Sequence, residues 1–248
     1  SYTISSTSFD VPAFGNRKVG DLDSAPNPSF VDRKIRDIFF HRNRLGFLSD
    51  ENIIMSRSGE TFEFFNETVT DALDTDPIDV NVAHTKVSIL KHAISFDEKL
   101  LLFSDQTQFI LSGGTNLTPG NTSVNVTTEY ETLDTVKPVG AGNNVFFGFN
   151  KGQFTGVREM YVEADGETNQ GEDITANIPK YIPSDVFKFA NASNENILVA
   201  LSSKTGEKNN LYIYQWFFAS GKRLQSAWHK WKIGADANTT VLNVDFIG

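Results

Sequence analysis

Four times along this chain a short polar turn leads into an unbroken apolar run. Asp50-Glu51-Asn52 precedes Ile53-Ile54-Met55, Asp97-Glu98-Lys99 precedes Leu100-Leu101-Leu102-Phe103, Gly142-Asn143-Asn144 precedes Val145-Phe146-Phe147, and Asn194-Glu195-Asn196 precedes Ile197-Leu198-Val199. The runs begin at positions 53, 100, 145 and 197, which are 47, 45 and 52 residues apart. A period of about 40 to 50 residues made of short strands is the spacing of propeller blades. After each run comes a polar turn and a further apolar segment: Phe62 to Phe65, Gln108 to Leu111, Met160 to Val162, and Leu211 to Phe218. In the first copy, Phe39 to Leu48, Ile53 to Ser56 and Thr61 to Phe65 read as three strands of a meander, with Ser49 to Asn52 and Arg57 to Glu60 as its turns.

The expected fold class is therefore all-β: a propeller-like array of about four or more blades of short antiparallel strands. Residues 1–38 read as an N-terminal connecting segment, 39–80, 86–130, 136–183 and 186–233 as the repeats, and 234–248 as the start of a further strand or blade. Helix signals are weak, because Gly and Asn interrupt most candidate segments; only a turn or two near Phe30 to Asp37 or Ser184 to Phe187 fits. The acidic stretches Asp71 to Asp79 and Glu163 to Asp173 read as connections between blades or surface insertions.

Composition narrows the class further. Among 248 residues, 39% are hydrophobic, enough to bury a core, and no apolar run approaches the roughly 18 residues of a membrane span. The N-terminus, Ser1 to Ser6, lacks the basic flank and apolar heart of a signal peptide, and the missing initiator Met points to a fragment, or the ordered part, of a longer protein. With no Cys there are no disulfides or thiolate metal sites. Thirty-one Asp and Glu against 22 Lys and Arg give a net charge of −9, the wrong sign for gripping a nucleic-acid backbone, although an acidic wall lets DNA slide past without trapping it. Six N-x-[ST] sequons, at Asn66, Asn116, Asn121, Asn125, Asn191 and Asn238, fit either a glycosylated secreted protein or a turn-rich chain that generates them by chance.

Motifs that carry chemistry are sparse. The loop Asp71 to Asp79 has carboxylates at Ca²⁺-like spacing but lacks the central Gly and closing Glu of an EF-hand, so a solvated turn is the simpler reading. Gly140-Ala141-Gly142 matches half of a dinucleotide fingerprint but leads into a strand, where the glycines serve a turn instead. Ser56 to Phe62 resembles the Asp-box turn of sialidase propellers without its Asp. His41, His84, His92 and His229 have no metal-ligand spacing, and no G-x-S-x-G elbow occurs. No catalytic, cofactor-binding or metal residues are assigned, and no enzyme activity is expected.

What remains are candidate interface or structural residues. Arg33, Arg36, Arg42, Arg44 and Arg57 form a basic concentration in an acidic chain, suited either to carboxylates across an interface or to intrachain pairing with Asp32, Asp37 and Glu51. Arg42, Asn43, Arg44 and Arg57 are singled out from it, together with Trp228 and Trp231, which suit an outer strand closing a blade. An alternative function, a carbohydrate-binding or carbohydrate-active propeller, would stack Trp216, Trp228 and Trp231 on sugars beside paired acids.

The wording of the first copy, Phe40-His41-Arg42-Asn43-Arg44-Leu45-Gly46-Phe47-Leu48-Ser49-Asp50-Glu51-Asn52-Ile53-Ile54-Met55-Ser56, resembles the tail tubular protein B family, the tail nozzle of short-tailed bacteriophages (podoviruses). Asp76 to Val80, Val87 to Ala93, Leu100 to Phe109, Pro179 to Pro183 and Ala227 to Trp231 resemble the same family in the same order. The resemblance implies a virion protein longer than this chain, with a propeller core. It implies a hexameric ring that contacts a tail adaptor protein and a tail fibre protein around a channel for DNA. It brings no cofactor and no catalytic residue, and the location it implies is the phage tail.

Overall fold

Two-residue turns decide where the first strands lie. Arg42 and Asn43 both adopt positive φ, 45° and 61°, and join β1 (Ile35–His41) to β2 (Arg44–Ser49) with His41 opposite Arg44. Positive φ at both central residues is the type I′ signature, whose twist matches that of the flanking strands. Asp50, at φ 51°, and Glu51 then join β2 to β3 (Asn52–Met55). The run from Phe39 to Leu48 is thus a hairpin and not one strand, because its turn carries Arg where Gly or Asp would have announced it.

The structure, a computed structural model, describes residues 13–83, 88–96, 98–161, 170–219, 222–234 and 239–246. Ser1 to Ser6, His84, Val87, Asp97, Val162, Glu163 to Asn169 and Asn238, named above, lie outside the described residues. No helix occurs among those described. The fold is all-β, with four antiparallel four-stranded sheets in a propeller-like array. The chain divides into two compact units, residues 1–81 with 112–123 and residues 82–111 with 124–248.

In the first unit the sheet runs β1-β2-β3-β4, with β4 spanning Ile78–Asn81. The expected strand Phe62 to Phe65 does not form. β4 pairs along β3 and takes the edge that segment would need, while Phe64 turns inward to stack on Phe47 at 5.4 Å, with Phe30 5.2 Å from both rings. Ile54 and Leu45 complete this aromatic core.

The second unit holds three sheets. β5 (His92–Phe96), β6 (Lys99–Phe103), β7 (Gln108–Ser112) and β8 (Ser123–Thr128) form one. β9 (Val139–Ala141), β10 (Asn144–Lys151), β11 (Phe154–Tyr161) and β12 (Gln170–Asp173) form the next. β13 (Val186–Ala192), β14 (Ile197–Ser202), β15 (Asn210–Ala219) and β16 (Lys222–Lys232) form the last. The repeated apolar runs lie in the second strand of these three sheets but in the third strand of the first sheet, so the first copy is offset by the unrecognised hairpin.

These runs are unbroken because both faces of each strand are buried. On β10, Val145 and Phe147 join Leu101, Phe103, Ile110 and Met160 on one side, while Phe146 joins Leu198, Tyr212, Tyr214 and Trp216 on the other. On β14, Leu198 and Ala200 face that same core, whereas Ile197, Val199 and Leu201 face a third, packed by Val241 and Val244. Phe147 is fully buried, and truncating such a ring to Ala costs about 3–5 kcal/mol. The acidic stretches also take part in the sheets: Ile78 and Asp79 lie in β4, and Gln170–Asp173 is β12.

Candidate functional site

The guanidinium of Arg44, 1% exposed, sits under the first sheet. It donates to the carbonyls of Ser56 and Asp76 at 2.7 Å, Asp74 at 3.0 Å, Leu117 at 3.2 Å and, longer, Thr75 at 3.4 Å. One planar fork of five N–H donors thereby ties Ser56, the residue that follows β3, to the 74–76 loop and the 112–123 connection. Burial pulls the Arg44 pKa down and the nearby Asp76 carboxylate partly restores it. Asp76 is itself buried, accepting from the amides of Leu73 at 2.8 Å and Glu67 at 3.3 Å.

The other residues singled out in this region surround the clamp. Arg42 donates to the carbonyls of Gly114 at 2.9 Å and Thr115 at 3.3 Å, and the Asn43 carbonyl accepts from the Gly59 amide at 3.0 Å. Arg57 is buried and pairs with Glu60 at 2.9 Å and Glu67 at 2.5 Å. Of the suggested acids, Asp32, Asp37 and Glu51, none is the acceptor of the Arg44 bonds, which all end on main-chain oxygens. Arg33 reaches Asp50 at 3.6 Å. The carboxylates of the 71–79 loop are also partly engaged: besides Asp76, Asp79 accepts from the Ser29 amide at 2.8 Å and lies 3.5 Å from Asn52 Nδ2.

The tryptophans do not form a sugar platform. Trp216 is buried between sheets, 5.3 Å from both Phe146 and Tyr214. Trp228 stacks 5.1 Å from Tyr214 and donates from Nε1 to the Ile174 carbonyl at 3.1 Å. Trp231, on the edge strand β16, is 52% exposed, with His229 at 5.7 Å. A groove of about 700 Å³ does hold Glu159, Glu172 and Asp173 with Tyr161 and Ser226. Two of those acids are engaged: Glu159 accepts from Asn144 and pairs with Arg223, and Asp173 meets Lys151 at 2.6 Å and the Thr175 hydroxyl at 2.6 Å. Burial pushes the Asp173 carboxyl up, but the Lys151 and Thr175 bonds outweigh it and hold the pKa below its ordinary value.

Of the histidines, His41 is buried in β1, with its pKa lowered to about 4, first by burial and then by the Arg42 charge. His92 Nε2 lies 3.2 Å from the Asp134 carbonyl. Gly142, at φ 61°, sits in the two-residue turn between β9 and β10, so the half-fingerprint serves backbone geometry. Sequence reasoning missed the Arg44 clamp, since its acceptors are carbonyls that every residue possesses.

Sheets stacked through shared apolar cores, with buried charges directed at main-chain groups and one another, define an all-β, propeller-like structural scaffold. A family description of the bacteriophage nozzle protein matches residues 4–248, and the chain belongs to that family. Tail tubular protein gp12 of Escherichia phage T7 is 38% identical over 219 residues, 88% of this chain and 27% of that protein. The chain thus spans about a quarter of the length of the curated relative it matches. The nozzle family and this relative make it a structural component of a bacteriophage tail. Among solved structures, Hsv2p of Kluyveromyces lactis aligns over 86% of this chain and 54% of its own, at 13% identity and a TM-score of 0.48.

Proposed function

We propose that this chain is a propeller section of a tail nozzle, a wall of the conduit through which DNA leaves the virion. Copies assemble around that conduit as a homo-oligomer, a hexameric ring, with a tail adaptor protein and a tail fibre protein as neighbours. The repeats 39–80, 86–130, 136–183 and 186–233 act as its blades, with 1–38 as a connecting segment and 234–248 as the start of a further strand or blade. The observation that carries this reading is the direction of the buried and half-buried charged groups. Arg44, Arg57, Glu159 and Asp173 all engage groups of the scaffold itself, the arrangement of a chain built for rigidity rather than turnover. Arg42, Asn43, Arg44 and Arg57 serve the first sheet, Trp228 the core between sheets, and Trp231 is available to a neighbouring subunit. The net charge of −9 supports a wall that DNA slides along without being held.

Cryo-electron microscopy of the parent virion tests the assignment. Density for this chain in a tail ring around the DNA path is expected, and density at any other location refutes it. Incubation of the full-length protein with host polysaccharide should release no reducing ends, and cleavage would refute the non-enzymatic part of the reading.

A further inference from the structure

Charge is segregated along this chain far more sharply than its net value suggests. From Asp50 to Asp79 there are nine Asp and Glu and one Arg; from Ile197 to Lys232 there are six Lys and Arg and one Glu. The structure shows which of these charges are available. On the acidic side, Glu60 and Glu67 hold Arg57, Glu63 meets Lys18 at 3.5 Å, Asp50 meets Arg33, and Asp76 and Asp79 accept main-chain amides. Glu51 is engaged as well. That leaves two of the nine, Asp71 and Asp74, both exposed and, among the described residues, without a cationic partner. Their loop is held in place by the Arg44 bonds to Asp74, Thr75 and Asp76 and by the Ser58 amide on the Thr75 carbonyl at 3.0 Å.

On the basic side, Arg223 is bound to Glu159, and Lys204 lies 5.6 Å from the Phe154 ring. Glu207 is occupied by the Tyr212 hydroxyl at 2.5 Å and Asn210 Nδ2 at 2.6 Å, with Lys230 more distant at 4.0 Å. Lys208 and Lys232 have no acidic partner among the described residues, and with Lys230 they line one groove of about 540 Å³ in which Glu207, already occupied, is the one carboxylate among the lining residues. Lys230 and Lys232 stand on β16, the edge strand of the last sheet.

We infer that this basic groove receives the Asp71–Asp74 loop of a second copy of the same chain. The contact is head to tail, with the first sheet of one subunit against the last sheet of the next, and it rests on the ring reading above. A heterologous contact of this kind generates a ring when its rotation closes. A loop already fixed by Arg44 loses little freedom on docking, and opposite charges on the two patches set both the partner and the register.

The test uses full-length protein and a mixing design. D71K/D74K copies carry a basic loop and a basic groove; K208E/K232E copies carry an acidic loop and an acidic groove. Each variant alone should assemble about tenfold or more weakly than wild type in 0.1 M salt, read as ring fraction by mass photometry. An equimolar mixture should recover rings in which the two variants alternate. The milder K208Q/K232Q variant should show a smaller loss and a weaker dependence of assembly on salt, and thermal melts confirm that each variant is folded.

Variants that assemble alone like wild type overturn the inference and leave the ring reading standing. So does a mixture that fails to recover, which would place the loop's contact within one chain. Unchanged rings with reduced retention on duplex DNA overturn it in favour of a phosphate contact. A wild-type protein that forms no ring overturns both readings.

Discussion

Replacing Arg44 by Met, which keeps an unbranched stem of similar length, should cost about 3–5 kcal/mol, the range for removing one partner of a buried charged network. Four bonds of 2.7 to 3.2 Å disappear, to the carbonyls of Ser56, Asp76, Asp74 and Leu117. Each bond from a charged donor is worth about 1.5–3 kcal/mol, and each buried carbonyl left unmatched costs about 1–3 kcal/mol. The simple sum overshoots for two reasons. Removing the guanidinium relieves the cost of burying its charge, and the 74–76 and 112–123 segments can relax until water reaches some of the freed oxygens. Arg44→Lys retains the charge but not the planar fork, so it should lose about 2–3 kcal/mol.

Urea unfolding gives the global value, and hydrogen exchange locates it. The Ser58 amide, bonded to the Thr75 carbonyl, and the Leu73 and Asp76 amides of the loop should exchange faster in R44M. Strands β10 and β14, in the other unit, should keep their protection relative to global stability. Loss of less than about 1 kcal/mol, below the worth of a single charged hydrogen bond, with loop amides unchanged, would refute the clamp.

Three further outcomes follow from local geometry. His41 titrates near pH 4 in the fold against about 6.5 unfolded, a difference of about 3 kcal/mol in full. Because the folded pKa is depressed, the unfolded chain takes up the proton first, so stability falls as pH drops below 6.5 and levels off near 4; urea midpoints between pH 7 and 4.5 should show this loss in wild type relative to H41F, and a constant difference would refute it. At Gly46 an added Cβ would stand 2.1 Å from Cζ of Phe39, its cross-strand partner, so Gly46→Ala should cost about 1–3 kcal/mol and most of that cost should vanish in a Phe39→Ala background. Trp228→Phe removes the donor to the Ile174 carbonyl and should lower stability by about 1–2 kcal/mol, whereas Trp231→Phe, at a half-exposed edge, should change thermal stability little.

The strands that could be read from the sequence are those buried on both faces. Leu100 to Phe103, Val145 to Phe147 and Ile197 to Leu201 stand out because each side chain must be apolar, whichever core it enters. The fourth strands carry no such mark. Asp79 and Asn81 in β4, Ser123, Asn125 and Val126 in β8, and Gln170 in β12 are exposed, so edge strands look like loops, and the stretch that ends in β12 reads as a connection between blades or a surface insertion. The first hairpin was hidden for a different reason. Arg42 holds a left-handed conformation at φ 45° that its residue type does not advertise, and overlooking it shifted the first repeat by one strand.

The charged residues divide along the same line between what composition counts and what geometry decides. Nine acids between residues 50 and 79 can be counted in the sequence, yet hydrogen bonds or ion pairs engage most of them within the first unit. The same holds for Arg44 and Arg57, grouped together as a basic cluster. Arg57 does find carboxylates, while Arg44 finds five carbonyls drawn from segments up to 73 residues away. A carbonyl acceptor has no residue-type signature, so only the folded backbone shows that Arg44 is a brace. That brace in turn fixes the loop bearing Asp71 and Asp74, and disturbing it should loosen the acidic patch even though both carboxylates remain. R44M should therefore weaken assembly of the full-length protein in the same direction as D71K/D74K, without changing any surface charge. Full assembly by an R44M protein whose loop amides exchange freely would separate the brace from the interface and show that docking does not need a preordered loop.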